Sequence, residues 1–243
     1  MKKIDFSYPA LIIALICTLI AALMVFGSSL GLWEPIVGFG ASRNYNNLLG
    51  YISVVAGAFA LIVNLYNKQF KKNIKSIVAI ALGLVVLTPT MVSLIKEPVR
   101  YPPIHDITTD IKTPPQFSFL TDDRAGAKNT LVYGGKEIAE QQLAAFPDIK
   151  PIKSALTAEQ AYLKSIDIAQ AKGWEIVYQD QKALSFEATA RTPFFNFADD
   201  VVVQVLSKET ASIINIRSVS RIGRGDRGVN AQRIRDFTKE FEK

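Results

Sequence analysis

The polar and apolar positions divide the chain into two regimes. From Phe6 to Trp33, Asn44 to Asn67 and Ser76 to Ile95 no side chain is charged, over 28, 24 and 20 residues. At about 1.5 Å per residue, roughly 20 residues span the hydrocarbon core of a bilayer, where every backbone polar group must be satisfied within the segment, so three transmembrane helices are expected. Three core helices of a soluble bundle would each carry a polar face, and the runs Ala10–Phe26 and Ile77–Leu87 carry none. The first apolar stretch is too long for a signal-peptide core and shows no small-x-small cleavage site, so it is read as an uncleaved helix. Gly27-x-x-x-Gly31 and Ala56-Gly57-Ala58 are small-residue patterns of the kind that lets helices approach, and are read as membrane composition.

Beyond residue 96 the periodicity changes. Residues 97–120 hold Pro98, Pro102, Pro103, Pro114 and Pro115 and read as an extended linker or arm. Residues 121–243 read as one α+β domain. A helix-like segment, Lys136–Phe146, comes first. Thr157-Ala-Glu-Gln160 is a capping box opening a helix that Gly173 ends. Alternation then predicts four strands, Trp174–Gln179, Ala183–Ala190, Asp200–Ser207 and Ala211–Ser220, with Trp174, Ile176 and Tyr178 on one face. A last helix from about Val229 places Ile234, Phe237 and Phe241 at helical spacing. The predicted fold is three transmembrane helices followed by an antiparallel four-stranded meander with flanking helices.

Charge gives this outline a direction. Lys plus Arg number 28 and Asp plus Glu 22, a net +6. Residues 1–96 hold eight basic and two acidic side chains, and the remainder is neutral. The excess is therefore a topology signal rather than a nucleic-acid footprint. Lys2, Lys3 and the run Lys68-Gln-Phe-Lys-Lys-Asn-Ile-Lys75 face the cytoplasm by the positive-inside rule, so that after a third crossing everything from about Lys96 onward, the C-terminal domain included, lies outside the cytoplasm. Cys17 is the only cysteine, so no intrachain disulfide holds the outer domain.

Two places could carry chemistry. Arg217, Arg221, Arg224, Arg227, Arg233 and Arg235 stand against Asp226 alone, and Arg217, Val219 and Arg221 share one strand face, toward which Arg233 could turn back. Guanidinium forks, with Gly223, Gly225 and Gly228 exposing backbone N–H groups at a helix N-terminus, suit an anion. The reading preferred for the same residues, Arg221, Asp226, Asn230 and Arg233, is a structural network pinning the last strand to the last helix. His105, the only histidine, with Asp106 and Asp110 could be metal ligands or a catalytic pair, but no second histidine or accessible cysteine accompanies it. A structural histidine, no metal and no cofactor are expected. Phe194, Phe195 and Phe197 are read as completing the domain core. Gly223-x-Gly225-x-x-Gly228 has dinucleotide spacing, but too little chain follows for a nucleotide-binding unit.

Three motifs, Pro102-Pro-Ile-His-Asp-Ile-Thr-Thr-Asp110, Thr192-Pro-Phe-Phe-Asn-Phe-Ala-Asp-Asp-Val201 and Arg217-Ser-Val-Ser-Arg-Ile-Gly-Arg-Gly-Asp-Arg-Gly-Val-Asn-Ala-Gln-Arg-Ile234, together resemble domain-of-unknown-function family 1499 in a membrane-anchored form. The match runs from about Pro102 to the C-terminus. Asn129-Thr-Leu-Val-Tyr-Gly-Gly135 departs from the Tyr-Pro-Gly type of turn more usual in that family. The resemblance implies a small domain after transmembrane segments in bacterial envelope proteins, adds weight to Ser220, Arg221, Gly223, Asp226, Gly228, Asn230 and Arg233, and brings no activity. The functional expectation is a membrane-embedded protein of unknown biochemical activity whose outer domain is a binding or assembly module, with Arg217, Ser220, Arg221, Asp226, Asn230 and Arg233 as ligand-binding candidates. The ligand expected there is an anionic lipid, a glycan or an envelope protein. The alternatives are an envelope hydrolase using His105 with Asp106 or Asp110, and a purely structural or homo-oligomerising module.

Overall fold

The computed structural model describes residues 5–97, 99–209 and 211–243. Lys2, Lys3, Pro98 and Thr210, on which some of the expectations above fall, lie outside the described residues. The chain divides into two units, one of residues 1–99 with Pro193–Asn196, the other of residues 100–192 and 197–243.

The first unit is helical: α1 (Ser7–Phe26), α2 (Pro35–Tyr66), a 3-10 turn at Phe70–Lys72, α3 (Asn73–Val86) and α4 (Thr88–Ile95). Both α1 and α2 are long and apolar enough to cross a membrane, and a third span exists if α3 and α4 are taken as one broken helix. The uninterrupted third helix expected over Ser76–Ile95 is corrected, since the chain bends by 60° between α3 and α4. Pro89 explains the break, because it lacks an N–H and its ring crowds the carbonyl four residues back. The side chains of α2 meet this break. Asn46 donates to Val86 O at 2.7 Å, and Asn47 Oδ1 accepts from Thr90 Oγ1. Backbone groups freed in an apolar setting need such partners. Small residues let the helices approach. A Cβ on Gly57 would stand 2.9 Å from Ser76 O, and one on Gly83 2.8 Å from Val54 N. Gly57 is thus a packing residue and more than membrane composition. Pro193–Asn196 belongs to this unit: Phe195 N–H donates to Val25 O at 3.0 Å and the Phe195 ring packs edge-on to Phe39. The expectation that Phe194 and Phe195 complete the core of the α+β domain is therefore corrected.

The second unit contains β1 (Asp106–Thr108), α5 (Gly135–Ala145), β2 (Ile152–Ser154), α6 (Ala158–Ala171), β3 (Glu175–Asp180), β4 (Ser185–Arg191), β5 (Ala198–Lys208), β6 (Ala211–Ser220) and α7 (Val229–Phe241). The sheet has six antiparallel strands in the order β1-β6-β5-β4-β3, with β2 also paired to β6. The four-stranded expectation is thus corrected. The meander β3–β6 lies within the sheet, and two three-residue strands from upstream close the free side of β6. Such short strands carry too little alternation to be read from sequence.

Alternation assigns the two faces. Phe186, Ala188, Val201, Val203, Val205, Ile214 and Ile216 line one face, under Ala161, Tyr162 and Ile166 of α6 and Ile234 and Phe237 of α7. The Thr157–Gln160 capping box that starts α6 is formed in both directions. Glu187, Thr189, Asp200, Asn215 and Arg217 line the other face, yet each is at most 3% exposed. That face is covered by a helix-free arm running from Thr109 to Tyr133, which Glu187, Asp200 and Arg217 hold by hydrogen bonds. A bulge between Ile176 and Tyr178 shifts the register of β3. It turns Tyr178 away from the face of Ile176, correcting their expected common face, and Tyr178 stacks instead on Phe119 of the arm, with ring centroids 5.2 Å apart.

Candidate functional site

The residues singled out in the sequence divide between two polar networks on opposite faces of the sheet. On the arm face, Arg217 is wholly buried and its guanidinium grips Asp106 of β1, Nε to Oδ1 at 3.0 Å and Nη2 to Oδ2 at 2.7 Å. It also donates to two arm carbonyls, Pro115 O at 3.2 Å and Leu131 O at 2.6 Å. The rings of Phe117 and Tyr133 lie 5.5 and 5.4 Å from the guanidinium carbon. Burial, then the Asp106 charge, push the Tyr133 hydroxyl up to about 12, with Arg217 opposing. Arg221, beyond Val219 on the same face, pairs with Asp200 at 2.8 Å and reaches Ala125 O and Thr189 Oγ1. Asp200 has no exposure and also receives Arg124 Nε at 2.5 Å. Two arginines thus share one buried carboxylate.

The helix face holds the second network. Arg233 of α7 pairs with Asp199 at 2.5 Å and donates to Ser218 Oγ and Asn230 Oδ1. Asn230 Nδ2 donates to Ser220 Oγ at 2.9 Å and to the His105 carbonyl at 3.0 Å. Arg233 therefore does not turn back toward Arg217 and Arg221, which corrects that expectation. Even-numbered residues of β6 point to the helices and odd-numbered ones to the arm, so the sheet itself separates the groups.

Asp226 occupies the place expected for an anion at the α7 N-terminus. Its carboxylate accepts from Gly228 N at 2.8 Å and Asn230 N at 2.7 Å, while its own N–H donates to Ile104 O. Burial, and secondarily the Asp199 charge, raise the Asp226 carboxyl above its ordinary range against those two N–H donors and Arg233. Gly228 stands at φ +80°, and a Cβ there would meet the Tyr101 ring at 2.7 Å, so glycine is required both by conformation and by space.

His105 and its acidic neighbours do not converge. The ring Nδ1 lies 3.4 Å from Arg224 O, and the residue joins the network through its carbonyl, which accepts from Ser220 N and Asn230 Nδ2. Asp106 is held by Arg217. Asp110 closes a turn with Lys112 N, Thr113 N and Thr113 Oγ1. Partial burial raises the Asp110 carboxyl, but these hydrogen bonds outweigh it and hold the group below its ordinary value. Among the described residues, no three His, Cys, Asp or Glu side chains are grouped to hold a metal ion.

Several members of these networks are not among the site residues that the sequence singles out. Arg124, Glu187, Asp199 and Asp200 are 9%, 1%, 2% and 0% exposed. Glu187 accepts from Ser118 N at 2.5 Å, Ser118 Oγ at 2.9 Å, Phe119 N at 2.8 Å and Leu120 N at 2.7 Å, clasping the arm. Gln142 of α5 donates to Thr108 O and accepts from Thr108 N, standing where a further strand would pair with β1. The available signal was a pair of acids, Asp199-Asp200, at the head of an otherwise apolar strand.

Comparison with known proteins adds a family and no activity. A family model described as "Protein of unknown function (DUF1499)" matches residues 106–241. No curated protein matches the chain.

Proposed function

The chain belongs to the DUF1499 family of proteins of unknown function, and from that premise we propose that it is a multi-pass membrane protein whose α+β unit lies outside the cytoplasm and serves as a binding or assembly module of the cell envelope. Its apolar helices associate it with a bilayer. The four lysines between Lys68 and Lys75 favour a cytoplasmic turn between α2 and α3, and hence an outer position for the α+β unit after a third crossing.

The observation that carries the module reading is the pairing of Arg217, Arg221 and Arg233 with Asp106, Asp200 and Asp199. Guanidiniums already satisfied by buried carboxylates have few donors left for an external anion. We therefore assign Arg217, Ser220, Arg221, Asp226, Asn230 and Arg233 the role of a frame that fixes the arm, the sheet and α7 as one presented surface.

Single cysteines introduced into a Cys17→Ala background test the topology. In intact cells a membrane-impermeant maleimide is expected to label Lys239→Cys, and to label Phe70→Cys only after permeabilisation. The reverse pattern would overturn the orientation. Crosslinking in native membranes tests the module role: adducts formed from exposed α+β positions support it, and a chain that remains uncrosslinked from all of them refutes it.

A further inference from the structure

We propose that the turn between α2 and α3 is a binding site for the phosphate headgroup of an anionic phospholipid, with Lys68 and Lys71 as its cationic contacts. Three lysines occur in this turn and a fourth, Lys75, in the first turn of α3, and the structure divides them. Lys72 is paired with Asp5 at 3.1 Å, and the Lys75 ammonium lies 3.4 Å from the centroid of the Tyr8 ring. Asp5 also accepts from Ser7 N–H and Ser7 Oγ. Lys68 and Lys71 are exposed, and their ammoniums take part in no ion pair or hydrogen bond among the described residues. The positive-inside rule needs only that positive charge be present. It does not explain why two ammoniums are engaged internally while two others, three residues apart in the same turn, have no such partner among the described residues.

The backbone adds to this contrast. Lys68 has φ +56°, a left-handed conformation disfavoured for a residue with a Cβ, and two residues later the chain enters the 3-10 turn Phe70–Lys72. The surroundings select a lipid rather than a soluble anion. Tyr66 and Phe70, 87% and 64% exposed, flank the two lysines with rings suited to headgroup depth, and Ile62 and Ile74 beside them are 66% and 62% exposed. A phosphate at the lysines would thus carry its acyl chains along an apolar helical surface. The inference requires the helical unit to lie in a bilayer and is independent of which leaflet the turn faces.

Native mass spectrometry of the purified, delipidated full-length protein, titrated with phosphatidylglycerol or phosphatidylcholine, tests this without any change of topology in cells. Wild type is expected to prefer phosphatidylglycerol, with salt weakening the preference. Near an anionic surface each lysine is worth roughly five-fold in affinity, so K68Q and K71Q are each expected to lose about that factor and K68Q/K71Q at least about ten-fold. K68R/K71R should retain binding, as should K164Q/K239Q, whose changes lie in the other unit. Equal binding of the two lipids by wild type, or unchanged phosphatidylglycerol binding by the folded K68Q/K71Q protein, would overturn the proposal.

Discussion

Arg217→Met is the most informative single substitution. Arg217 has no exposure and Asp106 is 5% exposed, so removing the guanidinium strands a carboxylate in the interior and frees the Pro115 and Leu131 carbonyls as well. Breaking a buried ion pair by deleting one partner costs about 3–5 kcal/mol. Against a domain stability of about 5–15 kcal/mol, this is roughly a fifth of the total or more. For a unit of this size roughly 3–4 °C accompanies each kcal/mol, so Tm should fall by about 9–20 °C. The double variant Asp106→Leu/Arg217→Met removes the stranded charge and should recover part of the loss, because an apolar pair can replace a buried ion pair at little cost. The assay is thermal unfolding of the full-length protein in detergent, followed by the fluorescence of Trp174, which packs on Phe237 in the core, with Trp33→Phe removing the other indole. A Tm for Arg217→Met within about 2 °C of wild type would refute the frame role. A double variant no more stable than Arg217→Met would refute the stranded-charge reasoning.

Glu187→Gln exchanges charge-assisted hydrogen bonds to Ser118, Phe119 and Leu120 for weaker ones, and should cost about 2 kcal/mol. Hydrogen exchange should rise first at those three amides, and unchanged protection there would contradict the clasp. Asp226 has a folded pKa above its unfolded one, so its contribution is fully present below the unfolded value and is lost as pH rises through the folded value. The Tm of wild type minus that of Asp226→Asn should therefore fall as pH is raised from about 4 to 8, and a flat difference would count against it. Asp110, depressed in the folded state, acts oppositely: its contribution is present above the unfolded value and is lost as pH falls through the folded one, so Asp110→Asn should converge with wild type under acid conditions. Gly57→Leu drives a side chain into Ser76 O and Ile80 N and should destabilise the helical unit by about 1–3 kcal/mol, detectable as a lower aggregation temperature in detergent.

The helical elements were legible because their signals are local. Charge-free runs marked the apolar helices, the Thr157–Gln160 box marked the start of α6, and Ile234, Phe237 and Phe241 marked the buried stripe of α7. The bend after α3 could have been suspected from Pro89 alone, but the Asn46 and Asn47 side chains that meet it come from another helix. The arginine cluster was equally visible. Its partners were not, because Asp106, Asp199 and Asp200 lie far along the chain and only strand pairing brings them near.

Glu187 shows the limit most directly. It alternates with Phe186 and Ala188, and in a two-layer fold that pattern means solvent. It is 1% exposed because the arm covers the second face of the sheet. Composition and periodicity by themselves determined the apolar helices, the charge asymmetry between the two halves and the meander from β3 to β6, since each depends on residues close in sequence. The tertiary structure alone decided that the arm covers a polar sheet face, that strand parity separates Arg217 and Arg221 from Arg233, and that the anion at the head of α7 is the chain's own Asp226. Those outcomes depend on strand register and on contacts between distant segments, and a difference of one residue in register would exchange the two faces.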